Sequence, residues 1–112
     1  MSQAIRFEIC GDQCLEPVIG ERFEIPGSKE VFAVHEARHH EKIEHGIFWC
    51  ASHVGTGFRI AKGDNIESTI ESAIIAWHSK TPEEIANALI NASRIKAQKF
   101  MAQLTPEHLS ND

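Results

Sequence analysis

Two β-rich runs joined by a short glycine-containing link constrain the fold of this chain most. Residues 47–54 and residues 58–62 are rich in aromatic and branched side chains, which pack well on a pleated sheet. The link between them is Gly55-Thr56-Gly57, and a short link of this kind is typical of a β-hairpin. The hairpin predicts an antiparallel sheet and disfavours an all-helical fold.

Three further segments are candidates for the same sheet. Residues 5–9 alternate apolar and charged side chains, the period of a strand buried on one face. Residues 31–35 are also β-rich. Residues 22–25 alternate as well but end at the turn-forming pair Pro26-Gly27, which predicts an edge strand or an extended loop. We therefore expect three or four strands.

A helix is predicted to follow the hairpin directly. Asp64 is a candidate N-cap with Glu67 three positions later, an arrangement that satisfies unpaired amide donors at a helix start. The apolar residues that follow recur at three- and four-residue intervals and so share one face, suited to covering the sheet. They are Ile66, Ile70, Ala73, Ile74 and Trp77.

A second helix is predicted to begin after Thr81, with Pro82 in its first position and Glu84 able to bond back to the cap. Apolar residues recur at helical spacing from Ile85 to Ile95, and Phe100, Met101 and Leu104 then shift the apolar face. The predicted fold is a single α+β domain over residues 1–104, an antiparallel sheet of three to four strands covered by two C-terminal α-helices. A polar tail, residues 105–112, completes the chain.

Charge and hydropathy narrow the classes of partner. The net charge of -5 over 112 residues argues against a general electrostatic grip on nucleic acid or anionic lipid. Residues 1–8 lack the apolar region of a secretory signal, and no apolar run is long enough for a membrane span. We expect a cytoplasmic protein without membrane contact, whose three cysteines remain thiols.

The sharpest motif is HExxH, formed by His35, Glu36 and His39, with His45 six residues further on. Over eleven residues it resembles the zinc proteases, although their longer pattern has a glycine where this chain has Lys42. The resemblance implies a zinc-dependent hydrolase with the three histidines as ligands and Glu36 as general base. Such a site requires a helix, which presents the first two histidines to one metal.

Strand propensity argues against that helix. Residues 31–34 favour a strand, and a strand that continues into His35 would prevent its imidazole from converging with that of His39. We therefore expect no cofactor, and we favour a protein that binds a partner over an enzyme. The segment from residue 38 to 45 then becomes an exposed connection, in which His39, His40 and His45 would contact a partner.

The cysteines suggest a second metal site, with Cys10, Cys14, Cys50 and His53 as ligands. Cys50 and His53 are an odd number of residues apart, so a strand points them to opposite faces and one zinc cannot collect both. Cys50 is expected to be a small buried hydrophobe. A nucleophilic pair of Cys50 with His35 has no supporting motif.

A sheet-mediated nucleic-acid-binding module is another alternative. A three-stranded sheet backed by a helix resembles, in outline, the small sheet modules at the N-termini of phage integrases. In this chain the resemblance rests on Trp49, residues 57–59 and the helix after Asp64. That resemblance implies nucleic-acid contact through the sheet, but a solvated helix surface explains the basic residues of the second helix equally well. The residues that would contact nucleic acid are Arg59, Arg94, Lys96 and Lys99.

The favoured function is that of a small non-enzymatic binding protein. About half of the chain resembles uncharacterised accessory proteins of phages and other mobile elements. The resemblance lies in residues 31–35, 49–53, 56–57 and 60–61 and in the helix that follows them. The resemblance implies protein–protein interaction, for example inhibition of a host defence system. Phe100, Met101 and Leu104 exceed the apolar surface that one amphipathic helix needs, which predicts a partner surface and a possible homodimer.

Overall fold

The computed structural model describes residues 3–10, 15–37 and 48–104. In chain order the elements are β1 (Ala4–Cys10), β2 (Leu15–Phe23), β3 (Phe32–Glu36), β4 (Trp49–His53), β5 (Arg59–Gly63), α1 (Ile66–His78) and α2 (Pro82–Leu104). Each strand pairs antiparallel with its neighbour in sequence, which gives the order β1-β2-β3-β4-β5. The predicted α+β class is confirmed, with five strands among the described residues instead of three or four.

Strand β2 was not predicted from the sequence over its full length. The edge strand or loop expected at residues 22–25 is wrong, because β2 spans Leu15–Phe23 and lies between β1 and β3. Pro17 is tolerated because β3 pairs only with the last residues of β2, from Glu21 onward, so a missing N–H at Pro17 costs the sheet little. Gly20 lets the strands pack closely, since a Cβ there would lie 2.8 Å from the carbonyl oxygen of Val34.

The sheet is curled, so that the turn between β4 and β5 contacts β1 at the other edge of the sheet. The Cys10 amide donates to the carbonyl oxygen of Gly57 at 3.3 Å. On the inner side of this curl, Phe7, Ile9 and Ala33 form a buried cluster. Burial of two large apolar side chains contributes about 3–6 kcal/mol, and this cluster therefore stabilises the curled form.

Helix α1 covers the outer side of the sheet. Its residues Thr69 and Ala73 are buried, and the ring of Trp77 packs edge-on against Phe32 with centroids 4.9 Å apart. The remaining predicted apolar positions, Ile66, Ile70 and Ile74, are half-buried. The predicted core-facing stripe is confirmed, and Thr69 joins it because its hydroxyl donates to the helix backbone at Asn65, 2.6 Å away.

The two helix caps differ in how closely they follow the prediction. Asn65, and not Asp64, caps α1, with its side chain accepting from the Ser68 amide at 2.8 Å. The cap of α2 is the predicted reciprocal one: the Thr81 amide donates to Glu84 Oε1 at 2.8 Å, and the Glu84 amide donates to Thr81 Oγ1 at 3.1 Å. These bonds from Thr81 hold the pKa of the Glu84 carboxyl below its ordinary value.

Helix α2 is attached to the hairpin ends of the sheet and packs against β1 and β2. Gln103 Oε1 accepts from the Leu15 amide at 2.6 Å, and Lys96 Nζ donates to the Gly55 carbonyl oxygen at 2.9 Å. Neither α1 nor α2, the two helices in the described part of the chain, is long and apolar enough to cross a membrane. The predicted tail, residues 105–112, lies outside the described residues.

Candidate functional site

The first half of the HExxH motif lies in a strand. His35 and Glu36 are the last two residues of β3, so their side chains leave opposite faces of the sheet. The predicted continuation of the strand into His35 is confirmed, and helical spacing is therefore not available at this histidine. His39, His40 and His45 belong to residues 38–47, which lie outside the described residues.

The His35 ring is fully engaged within the fold. It is 3% exposed, its Nδ1 lies 2.9 Å from the Glu36 carbonyl oxygen, and its Nε2 lies 3.0 Å from Ser52 Oγ. A carbonyl oxygen can only accept, so Nδ1 carries the proton and Nε2 accepts from the hydroxyl. The nitrogen that could bind a metal is therefore occupied by Ser52. Within residues 3–10, 15–37 and 48–104, no three His, Cys, Asp or Glu side chains are placed to share a metal ion.

The cysteines fall into different environments. Cys50 is 1% exposed and lies directly opposite His35 across the β3–β4 ladder, as a buried side chain packed with Ala37. His53 lies on the other face, stacked on Trp77, so the predicted separation of Cys50 from His53 is confirmed. Cys10 is partly buried; burial raises the pKa of its thiol, and Lys99 and Lys96 partly offset that rise.

A second buried histidine forms a network that sequence reasoning missed. His53 Nε2 lies 2.6 Å from Glu30 Oε1, and His53 Nδ1 lies 2.9 Å from Thr56 Oγ1. The Thr56 amide also donates to Nδ1 at 3.2 Å, so Nδ1 accepts and Nε2 donates to the carboxylate. The bond between His53 and Thr56 could have been predicted, because Thr56 lies in a glycine-flanked turn only three residues after His53. The bond to Glu30 could not, because Glu30 is 23 residues away in sequence.

The network resembles a hydroxyl–imidazole–carboxylate relay in outline, but its geometry is that of a structural clamp. Thr56 is 4% exposed, and its hydroxyl oxygen also accepts from the Phe58 amide at 3.3 Å. A nucleophile needs access to a substrate and a free approach to its oxygen. Instead, the hydroxyl fixes the turn that contacts β1, and His53 connects that turn to Glu30.

The four basic residues considered for nucleic acid do not form one surface. Arg59 is exposed on β5, and Arg94 is exposed on α2. Lys96 donates to Gly55 on the side of α2 that faces the sheet, and Lys99 lies near Cys10 on that same side. With 3.6 residues per turn, Arg94 is about 160° around the helix from Lys96.

An open groove lies beside β2 and β3. It has a volume of about 670 Å³ and is lined by Arg6, Ile19, Glu36 and Ala37 among others. Ile19 is 63% exposed on it. Small-molecule sites enclose their ligand and converge several polar groups on it, and this groove is too open to do so.

Helix α2 carries five of the nine large apolar side chains that are exposed in the described part of the chain. Of its 23 residues, all of them described, Ala92 alone is buried. Four large apolar side chains remain about half exposed or more: Ile90 at 60%, Phe100 at 49%, Met101 at 55% and Leu104 at 52%. Phe100, Met101 and Leu104 were predicted as partner-binding residues; Ile90 was missed because its place on the outer face depends on which side of α2 meets the sheet.

We name this surface the α2 stripe. It comprises Ala86, Ile90, Ser93, Ala97, Phe100 and Leu104, with Met101 at its margin.

Comparison with protein-family models, with curated proteins and with solved structures finds no match to this chain. Function is therefore inferred from the contacts and surfaces of the chain itself.

Proposed function

We propose that this chain is a non-enzymatic accessory protein of the cytosol that acts by binding another protein through the α2 stripe. The observation that carries the proposal is the exposure of Ile90, Phe100, Met101 and Leu104 on one helix. Exposed apolar patches larger than a few hundred Å² often mark protein-interaction sites on soluble proteins. A partner that covers the stripe removes this surface from water.

The buried polar groups support binding over catalysis. His35 and His53 each use both ring nitrogens in hydrogen bonds within the fold. Cys50 is 1% exposed, and the Thr56 hydroxyl is bonded on both sides. General acid–base catalysis needs such groups within reach of a substrate. In this chain they stabilise the sheet and its turn.

The attachment of α2 also supports an interaction role. Gln103 and Lys96 fix the helix to the two hairpin ends, and each bonds a backbone group of the sheet. A rigidly held helix loses little further conformational entropy on binding, which favours affinity. The resemblance to small phage and mobile-element proteins agrees with this role, and we propose a protein of the host, such as a defence factor, as the class of target.

A capture experiment with matched variants tests the proposal. Tagged wild type, Ile90→Glu, Met101→Glu and the control Ile75→Glu are used to isolate proteins from lysate of the native host, followed by quantitative mass spectrometry. Ile75 is 65% exposed on α1 and lies outside the α2 stripe, so it controls for the loss of an exposed isoleucine. Circular dichroism confirms that each variant is folded.

The expected result is a protein retained by wild type and Ile75→Glu, and reduced at least about tenfold by either α2 variant. A buried charge without a partner costs several kcal/mol, more than enough for that change. Equal recovery by wild type and Ile90→Glu would contradict the proposal. So would equal loss with Ile75→Glu, because the α2 stripe would then have no specific role.

A further inference from the structure

His53 holds the turn between β4 and β5 from inside the fold. Its Nδ1 accepts two hydrogen bonds from Thr56, one from the backbone amide at 3.2 Å and one from the hydroxyl at 2.9 Å. The same hydroxyl oxygen accepts from the Phe58 amide at 3.3 Å. One imidazole nitrogen therefore binds both the backbone and the side chain of the turn.

The turn is also the point at which β1 and α2 are attached to the hairpin. The Gly57 carbonyl oxygen accepts from the Cys10 amide at 3.3 Å, and the Thr56 carbonyl oxygen accepts from the Cys10 thiol at 3.5 Å. The Gly55 carbonyl oxygen accepts from Lys96 Nζ at 2.9 Å. Any rearrangement of the turn is therefore transmitted to β1 and to α2.

The bond from the Thr56 amide can exist only while the His53 ring is neutral. An imidazolium carries a hydrogen on both ring nitrogens and accepts no hydrogen bond. The Thr56 hydroxyl can reverse its role, because a hydroxyl both donates and accepts. The Thr56 amide can only donate, so protonation sets two N–H groups against each other and leaves this buried amide without an acceptor.

Glu30 supplies the countercharge that a proton on this buried ring requires. A charge inside a protein is costly unless an opposite charge and hydrogen bonds compensate it. His53 is 4% exposed, and its Nε2 lies 2.6 Å from Glu30 Oε1. Nε2 donates to this carboxylate in both protonation states. Protonation therefore keeps the bond to Glu30 and breaks the bond from the turn.

The surroundings of the ring contain further groups that affect its charge. β3 and α1 pack uncharged aromatic rings against it, those of Phe32 and Trp77. In the described part of the chain, the charged or titratable side chains at the turn or beside His53 are Glu30 before β3, His78 at the end of α1, Arg59 at the start of β5, Glu8 on β1 and Lys96 on α2. Of these, Glu30 contacts the ring directly, whereas the positive charge of Lys96 opposes protonation through its contact with the turn.

We propose that His53 is a pH-sensitive switch for the curled sheet. While its imidazole is neutral, it holds the β4–β5 turn against β1; when the imidazole is protonated, the turn separates from Cys10. The curl is therefore closed at neutral pH and is released as pH falls through the range in which histidines titrate. This role goes beyond the proposed binding function of the α2 stripe and does not depend on it.

A pH titration of the wild-type protein by NMR, from about pH 8 to about pH 4.5, tests the switch. The amide shifts of Thr56 and Cys10 are expected to change with the same midpoint as the His53 ring. The protection of the Cys10 amide against hydrogen exchange, corrected for the intrinsic rate, should fall at least about tenfold across that midpoint. The Phe7 amide, inside the β1–β2 ladder, should keep its protection because the sheet stays folded.

Two variants identify the group that titrates. In Glu30→Gln, the ring and both turn amides are expected to respond together at lower pH than in wild type, because the countercharge is gone. The control His78→Asn, which removes the exposed histidine of α1, should respond as wild type does.

Three results would overturn the switch. The first is a His53 ring that stays neutral down to about pH 4.5, or that titrates while the Cys10 amide keeps its shift and protection. The second is an equal loss of protection at Phe7, which would indicate unfolding of the sheet instead of release of the turn. The third is a response that disappears in His78→Asn, which would assign the titration to another histidine.

Discussion

Replacing Gly57 by alanine tests whether the contact between the β4–β5 turn and β1 holds the sheet in its curled form. Gly57 has a φ of 71°, in the left-handed region, and a Cβ at this position would lie 2.9 Å from Ile9 Cα and closer still to the Glu8 carbonyl oxygen. Both neighbours are backbone atoms of a paired strand. They cannot rotate away, so the turn and β1 must separate.

The expected loss of stability has three sources. Alanine in the left-handed region costs about 1 kcal/mol, and forcing atoms into a packed contact costs about 1–3 kcal/mol. Separation also breaks the bond from the Cys10 amide to the Gly57 carbonyl, worth about 1 kcal/mol. We therefore expect Gly57→Ala to lower the free energy of unfolding by about 3–5 kcal/mol, and Tm by about 10–20 °C.

Gly27→Ala is the matched control. Gly27 also has a positive φ, 87°, but the nearest atom to a Cβ there is His78 Cε1 at 3.7 Å, an ordinary contact. This variant should lose only the conformational cost of about 1 kcal/mol. Urea unfolding followed by circular dichroism measures both variants, and the gain from a stiffer unfolded chain is common to the two and cancels.

The difference between the two variants isolates the contact with β1. A Gly57→Ala protein that is at least about 2 kcal/mol less stable than Gly27→Ala supports the curled sheet. If the two variants unfold at the same urea concentration with the same slope, the close approach of the turn to β1 is refuted, because conformational strain alone would then account for both.

Two further predictions concern the polar networks. Thr56→Val should lower the free energy of unfolding by about 1–3 kcal/mol, because the buried bond between the Thr56 hydroxyl and His53 Nδ1 is lost and the part-buried Phe58 amide loses its acceptor. Glu30→Gln should cost under about 1 kcal/mol, because an exposed amide oxygen can still accept from His53. Urea unfolding compares the two variants, and equal losses would contradict the clamp. At the start of α2, the lowered pKa of Glu84 means that its contribution is fully present above the ordinary carboxyl pKa and is lost as pH falls through the folded value. The amide proton shift of Thr81 in NMR spectra should follow that titration in wild type and be flat in Glu84→Gln, and an unchanged titration in the variant would exclude the reciprocal cap.

Some features could be predicted because their signals lie within a few residues. The β4–β5 hairpin follows from two β-rich runs around Gly55-Thr56-Gly57, and the α2 cap follows from Thr81 and Glu84, which bond each other directly. The strand character of His35 likewise follows from its neighbours, and it was enough to predict that HExxH would lack its helix.

Other features depended on what the chain meets in three dimensions. Strand β2 contains Pro17 and Gly20, which disfavour a strand locally, yet its pairing with β1 and the close approach of Val34 outweigh that preference. The cap of α1 is Asn65 and not Asp64: the Ser68 amide donates to Asn65 Oδ1 at 2.8 Å, and Asp64 Oδ1 instead accepts from the Ser68 hydroxyl at 3.4 Å. Local preferences of this size, under about 1 kcal/mol, are readily overridden.

The sequence by itself determined the α+β class, the hairpin, the two amphipathic helices and the apolar residues at the end of α2, because periodicity and capping act over three or four neighbouring residues. The tertiary structure decided that Glu30 meets His53, 23 residues away, and that Cys10 meets the turn at Thr56, 46 residues away. It also decided which side of α2 meets the sheet and hence which apolar residues remain for a partner. Those choices depend on how distant elements pack together, and no local pattern records them.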